Sequence, residues 1–342
     1  MTQVGAPRDP DLAVCGIGSA LVDVLVETTV EVVEASSLVK GSMQLMSPAD
    51  ADRVHARVPG GLERSGGSVA NTVAGLASLG AGAGFIGRVA DDRLGQVFKD
   101  DMESIGVVFG GRGVVGEGGT GRCLILVTPD ADRTMCTSLG VAAQLGPADL
   151  DLDLIRRSAV TYLEGYLWDE PQAKEAYRTA ISTAHEVGRR AAMSMSDPFC
   201  VDRHRGEFAR LAERDLDILF GNESELCSLM EVDDLERACA WIRRPGLLVS
   251  VTRGASGAWV FEGEDSPVVE VAVPGSPPVV DTTGAGDLYA AGFLFGLTTG
   301  RDLATCARLG NLAASEVISH MGARPEADLA TLIARSPLAV LD

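Results

Sequence analysis

Residues 281–287 read Asp-Thr-Thr-Gly-Ala-Gly-Asp, two carboxylates around a glycine turn, just before the apolar run 288–297. Gly284 and Gly286 permit a tight turn and a close approach of backbone to a ligand. The amides of Gly284, Ala285, Gly286 and Asp287 then open a helix, where unpaired N–H groups and the helix dipole favour an anion. Asp287 stands where that anion would approach. A carboxylate there is a poor ligand for phosphate and a good acceptor for the proton of a hydroxyl attacking it. Asp281 and Asp287 would also serve as plain turn and cap residues, so spacing alone leaves both roles open.

Composition limits how an anion can be held. The 342 residues carry 29 Lys and Arg against 48 Asp and Glu, a net charge of −19. That balance argues against a nucleic-acid or anionic-membrane partner. Lysine occurs only as Lys40, Lys99 and Lys174, with no Gly-Lys pair, which excludes the Walker-type phosphate loop. The seven cysteines show no C-x-x-C spacing and no pairing with histidines. They fit buried free thiols in a reducing compartment better than disulfides or zinc ligands. The opening MTQVGAPRDPDL lacks the charge and apolar pattern of a signal peptide, and no apolar run approaches the ~18 residues of a membrane span. The expected location is the cytoplasm.

The elements that must position the turn follow from periodicity. LAVCGIG (12–18), AGFIGRV, VTYLEGY, RAAMSMS, DILFGN, LLVSVTRG and AWVFEG read as strands. Between them lie helical patterns at 68–79, 94–102, 171–187 and 202–213, then 288–297 and 303–318. This alternation predicts a mostly parallel sheet covered on both faces. Residues 20–48 and the Gly-rich 110–140 break the rhythm and read as a β-rich lid without helices. Residues 12–19, 49–109 and 141–342 then form the main α/β domain, and 1–11 a loose tail.

DTTGAGDLYAAGFLFG resembles the C-terminal signature of the ribokinase/PfkB family of carbohydrate and nucleoside kinases, and GGSVANTVAGLASLGAGAGFIGRVADDRLGQ (66–96) is similar to its N-terminal one. NESE (222–225) resembles the family's N-x-x-E motif. The matches occur in family order and span nearly the whole chain. The resemblance implies a ribokinase-like three-layer sandwich using ATP and magnesium. In it Asp287 is the catalytic base, and the amides of Gly284, Ala285 and Gly286 stabilise charge on the transferring phosphoryl group. Asn222 and Glu225 would organise magnesium largely through water, although an Asn N-cap with acids in the first helical turn explains them equally well.

Thr252, Gly254 and Gly257 of TRGASG resemble the segment lining the nucleotide phosphates and ribose, and Asn311 falls where the family approaches adenine. Asp281 and Thr283 fall where members bind a monovalent cation, which raises potassium as an expectation. At the acceptor end the resemblance assigns Asp23 to substrate hydroxyls, two of which its carboxylate can accept from at once. Gly66, Gly67 and Asn71 would face the same sugar. An amide such as Asn71 on an apolar helix face needs a partner in any case, at a cost of ~1–3 kcal/mol if unpaired. Arg133 is placed where adenosine-kinase-like members reach the γ-phosphate from the lid, and an arginine suits that role; DADR is also ordinary turn chemistry.

The acceptor is read from weaker signs. GSALVDVLVET, SGGSVANT and DRTMCTSLGVAAQL look most like bacterial adenosine kinases, so the 5′-hydroxyl of adenosine is the expected acceptor. Leu139, Tyr166 and Leu167 are candidates for the walls against the base. A free-sugar kinase would use the same catalytic end, and a nucleoside-binding protein without catalysis is a further alternative. A nicotinamide-dependent oxidoreductase is rejected, because GAGAG (80–84) lies between helix and strand, the reverse of the order the dinucleotide fingerprint requires. The lid is expected to close over the acceptor and exclude water; in some family members such a flap forms a homodimer.

Overall fold

The computed structural model describes residues 9–336 and 338, apart from 112, 116–117, 131 and 276–278. Most of the expected tail, and parts of the 110–140 insertion, therefore lie outside the described residues. Asp11 is attached: its amide donates to the Arg157 carbonyl at 3.1 Å and its carboxylate pairs with the Arg157 guanidinium at 2.8 Å. The tail thus ends before Asp11.

A nine-stranded sheet forms the body. From one edge its order is Val269–Val271, Ala258–Glu262, Leu248–Thr252, Ile218–Asn222, Arg190–Ser194, Ser158–Glu164, Leu12–Ile17, Ala83–Ile86 and Val108–Phe109. Ala258–Glu262 pairs antiparallel with both its neighbours, and all the other pairs are parallel. Alternate residues of each strand feed opposite cores, as a period of two requires. Val160 and Tyr162 face one core beneath the helices Ser68–Ser78, Ala285–Thr298 and Leu303–Val317. Leu163, Met193 and Leu219 face the other, beneath Pro171–Glu186, Pro198–Arg214 and Leu235–Ile242. This is the three-layer α/β architecture that the alternation predicts. The seven cysteines are all free, and no helix of the described residues is long and apolar enough to cross a membrane.

A five-stranded sheet stands apart, in the order Met43–Leu45, Arg133–Ser138, Gly121–Val127, Leu21–Glu27, Leu62–Gly66. Two features differ from the sequence reading. Leu62–Gly66, expected in the main domain, pairs antiparallel with Leu21–Glu27 and belongs here. Its sequence LERSG lacks apolar alternation, so its membership comes from pairing rather than propensity. The 20–48 insertion also contains a helix, Val30–Ala35, which buries Val33.

One packing contact matters for the site. Helices Ser68–Ser78 and Ala285–Thr298 approach so closely that a Cβ on Gly75 would lie 2.6 Å from Leu288 and 2.7 Å from Ala291. Glycine at 75 brings the N-termini of these two helices together.

Candidate active site

The parallel strands point their carboxyl ends at one crevice, the usual ligand position of open α/β sheets. Ser194, Asn222 and Thr252, from the ends of their strands, line a cavity of about 610 Å³. Asp23, Gly67, Ser68, Asn71, Glu225 and the 282–287 turn also line it. A neighbouring cavity of about 290 Å³ is lined by Gly254, Gly257, Asn311 and Ile318 among others. Thr252, Gly254, Thr282, Ala285, Gly286 and Tyr289 line both. The two cavities therefore meet at the glycine turn, with Asp287 on the side of the larger.

Gly284 caps the helix Ala285–Thr298 with φ 78°, a left-handed conformation that glycine adopts without strain. A side chain there would also meet Ala323, 2.8 Å from the Cβ position. The amides of Gly286 and Asp287 donate to no described residue. First-turn donors left open in this way, at the positive end of a helix, suit an anion.

Asp287 is held from the facing helix. Ser68 Oγ donates to Oδ1 at 2.6 Å, Asn71 Nδ2 to Oδ2 at 2.9 Å, and Thr72 Oγ1 to the Asp287 carbonyl at 3.1 Å. Positions 68, 71 and 72 share one helix face. Burial pushes the Asp287 carboxyl up to about 6, while the bonds from Ser68 and Asn71 and the charge of Arg324 hold it down. Asn71, expected to face the sugar, thus spends its amide nitrogen on Asp287. Its Oδ1 is buried without a partner among the described residues, and the residue lines the larger cavity. Ser68 carried a readable signal, a hydroxyl at the start of the helix that carries Asn71.

Asp23 stands in the middle of Leu21–Glu27, between buried Val22 and Val24. Its carboxylate accepts no hydrogen bond from a described residue. Burial raises it to about 6, opposed by Arg324 and Arg133 and reinforced by Asp287. Gly66 lies directly beneath it, and Gly67 lines the cavity beside it. A half-buried carboxylate without protein donors is ready to accept from a ligand in the cavity.

Asn222 and Glu225 form the capping box expected of plain structure: Asn222 Oδ1 accepts from the Glu225 amide at 2.9 Å, and the Glu225 carboxylate accepts from Asn222 Nδ2 at 2.6 Å and the Asn222 amide at 3.0 Å. Both residues also line the larger cavity, where burial raises Glu225 to about 7. No cluster of three metal-ligating side chains occurs among the described residues. One carboxylate lining the same cavity as the open amides of the 282–287 turn fits magnesium held mainly by water and phosphate oxygens.

The potassium expectation meets a different donor set. Asp281 Oδ1 accepts from the Thr283 amide at 3.0 Å and hydroxyl at 2.7 Å, and Oδ2 from the Gly322 amide at 2.9 Å. Arg133 Nη1 lies 2.6 Å from Oδ2, with both side chains under a tenth exposed. A carboxylate already served by three donors and a guanidinium does not fit a monovalent cation, so none is assigned to Asp281 and Thr283. Arg133 itself is a buried cation beside the 281–287 turn, its side-chain nitrogens without aligned acceptors among the described residues.

Other expectations shift in detail. Asn311 lines the smaller cavity, but its Nδ2 donates to the Val271 and Ala272 carbonyls at 3.2 and 3.3 Å, which fixes the wall rather than meeting a ligand directly. Tyr166 lines the larger cavity. Leu167 does not: it is 2% exposed and packs in the second core. Leu139 precedes the turn Gly140–Gln144 and is not among the lining residues. The apolar wall comes instead from the small sheet, where register aligns Ile125, Met135 and Met43 across three strands. Asp23 pairs with Cys123 one row nearer the body of the protein. Rows two residues apart are separated by about 6.5–6.8 Å.

If Asp287 takes the acceptor proton, it must be ionised, so its raised acidity constant sets an acidic limit. Turnover is expected to fall as pH drops below about 6. Initial rates from pH 5 to 8 at saturating substrate test this; a limb near pH 4 would show an unburied base.

A sequence profile of the pfkB family carbohydrate kinases matches residues 34–329. Among solved structures, an adenosine kinase from Sinorhizobium meliloti is 44% identical, with a TM-score of 0.86 over 95% of this chain and 99% of that one. A probable sugar kinase from Rhizobium etli CFN 42 is 40% identical, with a TM-score of 0.87 over 96% and 99%. Among curated proteins, an ATP-dependent ribose-1-phosphate kinase from Halopiger xanaduensis is 32% identical over 78% of this chain and 85% of its own length.

Proposed function

The chain belongs to the pfkB family of carbohydrate kinases, and from that premise we propose that it transfers the γ-phosphoryl group of ATP to the 5′-hydroxyl of adenosine. The observation that carries the reading is the junction of the two cavities at 282–287, with Asp287 on the acceptor side and open helix amides between them. Phosphoryl transfer needs that arrangement: the attacking oxygen, the phosphorus and the leaving oxygen in line, with charge stabilisation at the centre. Asp287 accepts the hydroxyl proton as the oxygen–γ-phosphorus bond forms. The bond from γ-phosphorus to the bridging oxygen breaks, and ADP leaves. The 284–287 amides and Arg133 stabilise the charge on the transferring group. Magnesium, when bound near Glu225, neutralises phosphate charge.

Two features favour an uncharged nucleoside. Among the described residues the larger cavity is lined by Asp23, Glu225 and Asp287 and by no Lys, Arg or His. A sugar phosphate, such as ribose-1-phosphate, would meet lining charges all of its own sign, since Arg133 and Arg324 are not among the lining residues and are engaged with Asp281 and Ser65. The second feature is the offset between rows on the small sheet. Asp23 can clasp two ribose hydroxyls while the base lies on Ile125, Met135 and Met43, a flexible apolar wall, with Tyr166 nearby.

The test is ADP release from ATP and magnesium with a panel of acceptors. Adenosine is expected to respond strongly, and ribose-1-phosphate at least a hundredfold less in kcat/KM, a difference of about 2.8 kcal/mol. A response confined to a free sugar would keep Asp287 and remove the base wall. A response led by the sugar phosphate would overturn the charge argument.

A further inference from the structure

Arg324 follows the last long helix, in a stretch with no strand or helix of its own. Its Nε donates to the Ser65 carbonyl at 3.1 Å. Its Nη2 donates to the same carbonyl at 2.8 Å and to Ser65 Oγ at 2.7 Å. Ser65 is 1% exposed and is gripped from the other side by Asp101, which accepts its amide at 2.9 Å and its hydroxyl as well. The segment so fixed continues into the site. At Gly66 a Cβ would lie 2.3 Å from Asp23 Oδ2, so the Asp23 carboxylate rests on this backbone and any side chain would displace it. Two residues later, Ser68 donates to Asp287.

We propose that Arg324 is a positioning residue for both carboxylates: by clamping Ser65 it fixes the 65–68 segment that supports Asp23 and presents Ser68 to Asp287, and it places its positive charge beside the two acids. The arginine fork suits this task, since two of its nitrogens converge on one carbonyl while the charge remains. The ionisable groups coupled to Asp287 come from several elements: its charge raises Asp23 on the small sheet, Tyr162 and Glu164 on Ser158–Glu164 and Tyr166 in the turn that follows, while Arg324 lowers Asp287 itself. Of these Arg324 is the cation, and it holds both Asp23 and Asp287 down against burial. Arg133 assists at Asp23.

The kinetic part of the test rests on the kinase reading; the spectroscopic part does not. Carboxyl-labelled aspartate is followed by 13C NMR through a pH titration, with resonances assigned by their loss in D23N and D287N. In Arg324→Gln both midpoints are expected to rise by about one pH unit or more, the size of an opposite charge removed. In Arg324→Lys, which keeps the charge and loses the fork, they should stay near the wild-type values. Both variants should raise the acceptor KM at least tenfold and leave the KM for ATP within twofold. Unmoved midpoints in a folded Arg324→Gln protein would overturn the electrostatic role, and an unchanged acceptor KM in both variants the positioning role. If Arg324→Gln does not fold, Arg324→Lys decides: shifted midpoints or an unchanged acceptor KM would sink the proposal. Failure of the wild type to phosphorylate any nucleoside would instead count against the activity, with the midpoints still deciding Arg324.

Discussion

Asp287→Asn is expected to lower kcat by about 10²–10⁴-fold, the usual contribution of a positioned general base. The substitution removes the proton acceptor and turns the atom facing Asn71 Nδ2 into a donor, which a flip of the Asn71 amide can meet with its unpartnered Oδ1. Asn keeps an oxygen for Ser68 Oγ, and the helix carrying it is fixed by close packing at Gly75 and by the Thr72 bond to the 287 carbonyl. Acceptor affinity by calorimetry should therefore stay within about fivefold, which separates this variant from a binding defect. Stability should not suffer. The folded carboxyl is raised to about 6, above the ~3.9 of an unfolded Asp. A raised carboxyl stabilises the fold fully below the unfolded value and loses that contribution as pH climbs through about 6. At pH 8 the ionised group is a burden that Asn lacks, so the melting temperature there should be no lower than wild type. Turnover surviving within tenfold would show that the proton leaves by another route.

Asp23→Ala carries the second large effect, on the opposite kinetic constant. The carboxylate is half-buried, raised to about 6 by desolvation, and accepts from no described residue. Its donors must come with the substrate. Two charge-assisted hydrogen bonds at about 1.5–3 kcal/mol each predict a loss in acceptor kcat/KM of at least a hundredfold. Most of it should fall on KM, because the hydroxyls Asp23 holds are not the one that reacts. The KM for ATP should not move, since Asp23 lines only the larger cavity. An acceptor KM unchanged by the substitution would place the sugar elsewhere.

The turn at 281–287 was legible because it is local. Glycine spacing, an acid and the start of an apolar helix fit within a dozen residues, and each has a backbone reason to be there. Asn222 and Glu225 were legible on the same grounds, their motif and their capping box being one geometry. The acceptor wall was harder. Met43, Ile125 and Met135 meet only through register across three strands, and nothing in their own neighbourhoods marks them. Leu167 carries the same apolar signal as a wall residue, but it points into the second core. Arg324 had no signal at all. Its partner Ser65 is 259 positions away, and the strand that holds Ser65 joined the small sheet without the alternating pattern that announces strands.

The two sheets share no strand. On the proposed reading the proton acceptor and the helix amides sit on the turn and helices beside the large sheet, whereas the surface facing the acceptor, and Arg133, belong to the small one. Selection for a new substrate can thus rewrite the Met43, Ile125 and Met135 row of the small sheet without touching the residues that move the phosphoryl group. Lineages using one chemistry can diverge in diet by editing a removable face. For an engineer, the same partition marks the strands at 43–45 and 121–127, with Met135, as the face to graft, leaving Arg133 and its partner turn 281–287 as they stand.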